Sequence, residues 1–415
     1  MEARCCPSIF PGGVLPMREG DSIELFGGCG GLGLGLARAG FRSRLFLEWN
    51  ADAVATVRFN AERKVKHIGD WHVAHQDVRD ARWDGLRGEL ALVSGGPPCQ
   101  PFGIGGLKKG ASDTRDMWPE AVRAVRETRP AAFLFENVRN LAGPRFRPYL
   151  EWVEQQLRHV GADPRRANET PEEQLARLRW LPETYRTTVA LVNAADFGAP
   201  QVRHRVLLAG IRADLGVEPG HPQPTHGMSR LLWDQWVSGS YWERHRLVRP
   251  EDHAIPTRSR TEVLRLRAQK VRPTEEPWVT VRDAITDLGE PNRRNNHLYQ
   301  PGARVYAGHT GSPLDWPAKA LKAGDHGVPG GENMMVLPDG SVRYFTLRES
   351  ARLVGLPDSY GFCRSWTESM RGLGNAVPVQ LGEAAGRWLI EKLSGRRSPI
   401  ITGTHEIQQM GRQAA

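Results

Sequence analysis

Residues 95–103 read GGPPCQPFG, with Cys99 between a proline pair and a glutamine and glycines on both sides. A thiol packed inside a core needs no such punctuation. A thiol held by rigid, close-approach backbone at a strand end, and offered to a planar substrate, does. Two further patterns could work with it. AAFLFENV brings Glu136 to the end of an apolar run, where it is partly desolvated and suited to carrying a proton. A helix cap or a salt bridge is the plainer use of that carboxylate. PQVRHR supplies Gln201, Arg203 and Arg205. Arginines two apart on a strand share a face and repel each other unless a carboxylate or an anion lies beside them; surface decoration is the alternative.

A second set of residues points to a bound nucleotide. ELFGGCGGLGLGL, from Glu24 to Leu36, reads as a strand, a glycine turn and a helix, a shape that lets a ligand approach the backbone at a helix N-terminus. Alone it is equally a tight strand–helix turn. The next strand ends in LEWN, where Glu48 stands about 20 residues after the glycines, the place of an acidic residue that grips a ribose hydroxyl pair. Trp49 beside it has a flat face for adenine, and Asp77 in HQDVRD can accept from an exocyclic amine. In this order, at successive strand ends, they describe a site for an adenosine-bearing cofactor.

These residues need a frame. From Ser22 to about Ile211, short apolar strands (SIELFGG, SRLFLEWN, LALVSGG, AAFLFENV, TTVALVNAADFG, HRVLLAGIR) alternate with helical stretches. The alternation predicts an α/β fold, a Rossmann-like and mostly parallel sheet with helices on both faces. Such sheets bind ligands at the carboxyl ends of their strands. We divide the chain into a lead-in over 1–21, a catalytic domain over 22–212 with a polar insertion at 161–185, and a smaller irregular or β domain over 213–345. Residues 346–393 follow, with a capped helix from Thr346 (Glu349 three residues on) and a last helix returning to the first domain; 394–415 is a tail expected to be disordered.

The charge of +9, pI near 9.6 and excess of arginine over lysine suit a polyanionic partner. Five scattered cysteines (Cys5, Cys6, Cys29, Cys99, Cys363) form neither a disulfide framework nor a metal pattern. No apolar run is long enough to span a bilayer, and no basic region leads into an apolar one at the start, so a cytoplasmic protein with no membrane partner is expected.

Taken together, ELFGGCGG, LEWN, QDV, GGPPCQPFG, DTRDMW, FLFENV, NAADFGAPQVRHR, FTLRESARLVGLPD and GNAVP resemble, in order and spacing, the cytosine-5 DNA methyltransferase family of bacterial type, from about Ser22 to Leu393. The resemblance implies a class I methyltransferase fold with 213–345 as target-recognition domain. It implies transfer of a methyl group from S-adenosyl-L-methionine to C5 of a cytosine flipped out of a specific duplex DNA sequence, without a metal. By the resemblance, Cys99 is the thiolate that adds to C6 and Glu136 activates the ring at N3. Arg205 holds O2, and Arg203 steadies Glu136 or a phosphate. Cofactor contacts fall on Phe26, Gly28, Cys29, Gly31, Glu48, Trp49, Asp77, Val78, Pro98 and Asn375, and DNA contacts on Gln100, Gln201, Arg203 and Arg343. Glu24 stands where the family usually has Asp. Gly103 stands where it usually has Ser, which removes one hydroxyl contact to the DNA backbone. Covalent addition splits a hard alkylation into two easier steps, and flipping the base costs a few kcal/mol that phosphate contacts offset.

The expected setting is duplex DNA as substrate and a monomeric enzyme, acting beside a cognate restriction endonuclease encoded nearby or as an orphan. Three other functions compete, one of them a catalytically silent DNA-binding relative, against which the intact Cys99, Glu136, Arg203 and Arg205 argue. The family has a branch that methylates a tRNA cytosine, but its recognition region is reduced, whereas here about 130 residues separate the PQVRHR strand from the TLRES helix. A dinucleotide-dependent oxidoreductase would use the glycine turn but would leave PQVRHR and GNAVP without a role.

Overall fold

The computed structural model describes residues 20–98, 116–166, 168–306, 310–324 and 333–395. Strands β1 (Asp21–Leu25), β2 (Arg42–Glu48), β3 (Val73–His75), β4 (Leu92–Gly95) and β5 (Ala132–Val138) lie parallel in the order β3-β2-β1-β4-β5. β6 (Tyr185–Asn193), β7 (Gln201–Val202) and β8 (His204–Arg212) follow; β8 pairs antiparallel with both β5 and β6 and completes a seven-stranded sheet. The chain winds outward from β1 to β3 and then restarts at β4 on the other side of β1. That reversal opens a crevice at the carboxyl ends of β1 and β4, the usual ligand position in such sheets.

Strand alternation fills both faces. Phe133 and Phe135 belong to a core with Ile23, Leu25 and the helices α3 (Trp118–Thr128) and α4 (Arg147–Arg158), while Ala132 and Leu134 face a second core. That second core is built with α1 (Gly31–Ala39), and α2 (Ala51–Glu62) packs into a third around Phe46. Within the 161–185 insertion, α5 (Pro171–Leu178) starts with a capping box between Thr170 and Glu173.

The segment over 213–345 holds helices as well as short ladders. α6 (Met228–Trp236), α7 (Ser240–Arg244) and α8 (Thr257–Gln269) share a small core of their own, around Leu231, Trp236, Tyr241, Trp242 and Val263. α8 buries only Ser259, Val263 and Leu266 among its thirteen residues, so its sequence carries a weak helical period. β9 (His226–Gly227) pairs with β10 (Glu276–Pro277), and α9 (Val281–Ile285) follows. β11 (Ser312–Pro313), β13 (Met334–Val336) and β14 (Val342–Tyr344) form a three-stranded sheet, while β12 (Ala318–Lys319) pairs with β7 and ties this segment to the catalytic domain.

α10 (Leu347–Val354) has the expected capping box between Thr346 and Glu349. α11 (Trp366–Asn375) and α12 (Val379–Leu393) then return to the first domain. α12 lies along α1 at a spacing that only glycine permits. A Cβ on Gly31 would stand 2.2 Å from the Val377 carbonyl oxygen, and one on Gly35 would stand 2.5 Å from the Glu383 nitrogen. Gly382 and Gly386 face back in the same manner, toward Leu32 O and the Ala39 Cβ. Among the described residues, no helix is long and apolar enough to cross a membrane.

Candidate active site

The carboxyl ends of β1, β2 and β3 form one side of the crevice. Glu48, the last residue of β2, is buried and accepts three backbone hydrogen bonds: from Trp49 N at 3.0 Å, Asn50 N at 2.7 Å and Gly28 N at 2.8 Å. It therefore clasps the glycine turn. Phe26, the first residue after β1, sits at φ 55°, a conformation rare for an aromatic residue and the kind of local strain found at functional sites. The glycines of the turn divide into two groups. A Cβ on Gly27, Gly31, Gly33 or Gly35 would run into Phe46, Val377, Glu24 or Glu383, whereas one on Gly28 (φ 56°) meets nothing within 4 Å. Only Gly28 of these leaves room for a ligand; Gly31 is a packing residue of the helix pair. Trp49 is 68% exposed, with its face free at the rim.

Other residues expected here already have partners within the chain. Cys29 is buried, its thiol donates to Gly372 O at 3.3 Å, and Tyr360 donates to its carbonyl at 2.8 Å. Burial pushes that thiol up to about 12, so it stays protonated. Asp77 caps the turn after β3 by accepting from Arg79 N at 2.9 Å; its bond to the Arg79 guanidinium holds it below the usual carboxylate range. Val78 is buried behind it, and Asn375 is exposed at the end of α11. Glu24 is buried beneath the turn. Burial, aided by the nearby Glu48 charge, pushes it up to about 8 against a hydrogen bond from the Gly33 N–H. A Cβ on Gly33 would stand 2.0 Å from Glu24 Oε2, so the glycine makes room for the longer acid.

The other side of the crevice is formed by β4, β5 and β8. Pairing of Val138 with Arg205 sets Arg205 diagonally across from Glu136 on the same face, and its Nε forms an ion pair with Glu136 Oε1. Both side chains are nearly sealed, at 13% and 9% exposure. Past β4 the backbone crosses directly over this pair: a Cβ on Gly96 would lie 3.4 Å from Glu136 Oε2. Asn137, a residue the sequence reading passed over although it stands inside ENV, donates to Pro97 O at 3.0 Å and fixes that crossing. Pro98 is half-buried at its end. Cys99 and Gln100 come next and lie outside the described residues.

Three expectations are corrected. Arg203 and Arg205 do not share a face, because the strand breaks between β7 and β8 at Arg203. Arg203 turns inward, 2% exposed, and donates to Leu321 O at 2.9 Å and Gly374 O at 2.7 Å; Arg205, not Arg203, steadies Glu136. Gln201 is fully buried and donates to Leu353 O at 2.7 Å, so it braces α10 and offers no surface to DNA. Arg343 is mostly covered and forms a two-pronged pair with Glu349 at 2.8 and 2.6 Å. Among the described residues, no group of three His, Cys, Asp or Glu side chains could hold a metal ion.

Comparison with known proteins adds the following. A family model for C-5 cytosine-specific DNA methylase matches residues 20–391. The Type II methyltransferase M.NgoMIV of Neisseria gonorrhoeae is 30% identical over 378 residues, spanning 90% of this chain and 97% of its own. M.AplI of Arthrospira platensis, also a Type II methyltransferase, is 27% identical over 380 residues, spanning 88% and 84%. Among solved structures, S. pombe Dnmt2 methyltransferase covers 90% of this chain and 99% of its own with TM-score 0.55 at 17% identity, which is a likeness of fold.

Proposed function

The chain belongs to the C-5 cytosine-specific DNA methylase family and is a DNA methyltransferase; from that premise we propose that it methylates C5 of a cytosine extruded from a specific duplex DNA sequence, through a transient bond from Cys99 to C6. The observation that supports this reading is the largely buried Glu136–Arg205 pair, with Gly96 against Glu136 and Pro97 tied to Asn137 on the stretch that leads into Cys99. A buried carboxylate and guanidinium side by side match the N3 and O2 edge of cytosine.

The residues present fit S-adenosyl-L-methionine: open space over Gly28, a carboxylate at Glu48 and an exposed indole at Trp49. When bound it supplies an electrophilic methyl group. Glu48 would hold the ribose hydroxyls, Trp49 the adenine face and Asp77 the exocyclic amine. Phe26, Val78, Pro98 and Asn375 would line the remaining walls, with Cys29 and Gly31 contributing backbone only. Free cysteine is only a few per cent thiolate at neutral pH, so the ring has to be made more receptive. Glu136 does this by holding a proton at N3, and Arg205 by donating to O2. The Cys99 thiolate then bonds to C6, and the displaced π pair moves to C5, which would take the methyl group while the pair of the broken methyl–sulfur bond stays with the departing thioether. Loss of the C5 proton to a base returns a pair that re-forms the double bond, and the C6–S bond breaks to release the thiolate.

Bisulfite sequencing of plasmid DNA from cells expressing the protein tests this directly. A methylated cytosine in one defined sequence context is expected. Methyl groups incorporated into tRNA but not into duplex DNA in a parallel assay would overturn the reading. The recognition sequence so obtained also separates a restriction–modification role from an orphan one, once set against the specificity of any endonuclease in the same cell.

A further inference from the structure

Arg203 takes no part in the chemistry above, yet it is one of the largest side chains sealed in the molecule. A buried guanidinium is costly unless its donors are used. Here its two terminal nitrogens donate to main-chain carbonyls from segments far apart in the chain: Leu321 O, 118 residues on, and Gly374 O, 171 residues on. Leu321 follows β12, which pairs with β7 immediately before Arg203. Gly374 immediately precedes Asn375. The two segments also touch each other, since a Cβ on Gly374 would stand 2.3 Å from both Ala323 N and the Lys322 carbonyl carbon. Asn333, fully buried, exchanges hydrogen bonds with Lys322 N and O, both at 2.9 Å, and fixes this stem from its other side. Two residues beyond Arg203, Arg205 holds Glu136.

We propose that Arg203 is a positioning residue that couples the recognition segment to the cofactor end of the site. One planar guanidinium sets Leu321 and Gly374 relative to each other and to the Glu136–Arg205 pair. The inference rests on the reading above, in which 213–345 meets duplex DNA and Asn375 meets S-adenosylmethionine. Its consequence is linkage: bound duplex tightens S-adenosylmethionine, and S-adenosylmethionine tightens duplex by the same factor. Lysine, a single point donor, cannot hold two carbonyls in a fixed fork.

The test measures S-adenosylmethionine affinity by calorimetry with and without a duplex containing the sequence found by bisulfite sequencing. Wild type, Arg203→Lys and Gly374→Ala are compared, each checked for folding by its thermal transition. In wild type the duplex is expected to tighten binding about 10-fold. In both variants that factor is expected to fall toward one, while affinity without DNA changes less than about 3-fold. If Arg203→Lys does not fold, Gly374→Ala carries the test, because its methyl group parts the same two segments and leaves the guanidinium in place. An unchanged factor in folded variants overturns the proposal, as does a loss of affinity without DNA that simply follows a loss of thermal stability. A wild-type protein that methylates no duplex at all would instead sink the functional reading.

Discussion

The carboxyl end of the sheet and the 213–345 segment hold their polar groups by different means. At the sheet, backbone holds Glu48 through three N–H groups and takes the amide of Asn137 on the Pro97 carbonyl, and the Glu136–Arg205 ion pair is the side-chain exception. In the 213–345 segment, several side chains hold other side chains. Arg282 pairs with Asp315 at 2.6 and 3.1 Å, Arg267 with Asp252 at 2.6 and 2.8 Å, and Arg244 with Asp283 at 2.7 Å. The Tyr241 hydroxyl bridges Thr280 and Asp315 at 3.0 and 2.8 Å. Backbone geometry is shared by any sequence that forms the same strands, so a site built on it tolerates few residue types. Side-chain pairs can be exchanged for other pairs, so a segment built on them can change more in sequence than the sheet end can.

That contrast is breakable in four places, in decreasing order of expected effect. Cys99→Ala should lower methylation more than about 10³-fold, as expected when a nucleophile is removed. In wild type, a duplex with 5-fluorocytosine at the target should form a denaturation-resistant adduct, since the C5 position has no proton to lose. Turnover by the alanine variant would end the covalent mechanism. Glu136→Gln should slow the chemical step about 10²- to 10⁴-fold and leave S-adenosylmethionine affinity nearly unchanged; equal losses in both would mean the carboxylate is merely structural.

Glu24 gives an effect on stability. Its folded-state value near 8 exceeds the ordinary 4.5, so between those limits the folded protein keeps a proton that the unfolded chain has lost. Stability should therefore fall as pH rises from about 5 to 8, by an amount on the order of a few kcal/mol. Glu24→Gln should match wild type at pH 5 and melt higher at pH 8. Parallel melting profiles would show that the acid is not held protonated. The smallest effect belongs to the recognition segment: Tyr241→Phe removes one hydroxyl among several paired groups and should cost about 1 kcal/mol, read by urea unfolding. A loss several times larger would mean that this side-chain network is as intolerant as the sheet end.

The same division explains what the sequence disclosed. Strand alternation and the short motifs at strand ends are local, so the parallel sheet, Glu48, Trp49 and Glu136 could be placed from their own neighbourhoods. Arg203 could not be placed, because its partners Leu321 and Gly374 come from distant segments and present only carbonyls, which every residue has. Gly31 is expected against the cofactor, whereas a Cβ there would meet the Val377 carbonyl at the head of α12. The signal that could have corrected this was a matched pair, Gly31 and Gly35 four apart and Gly382 and Gly386 four apart. α8 escaped notice because it buries only Ser259, Val263 and Leu266, too few to give a clear helical period.

The interlocked glycines of α1 and α12 join an early segment of the chain to a late one. β1 and its turn emerge early in synthesis, but the wall they rest on is made of residues 377–386 and is translated almost last. A chain that stops short of these residues therefore lacks the surface on which Gly31 and Gly35 rest, so the turn after β1 is finished only when the last helix is in place.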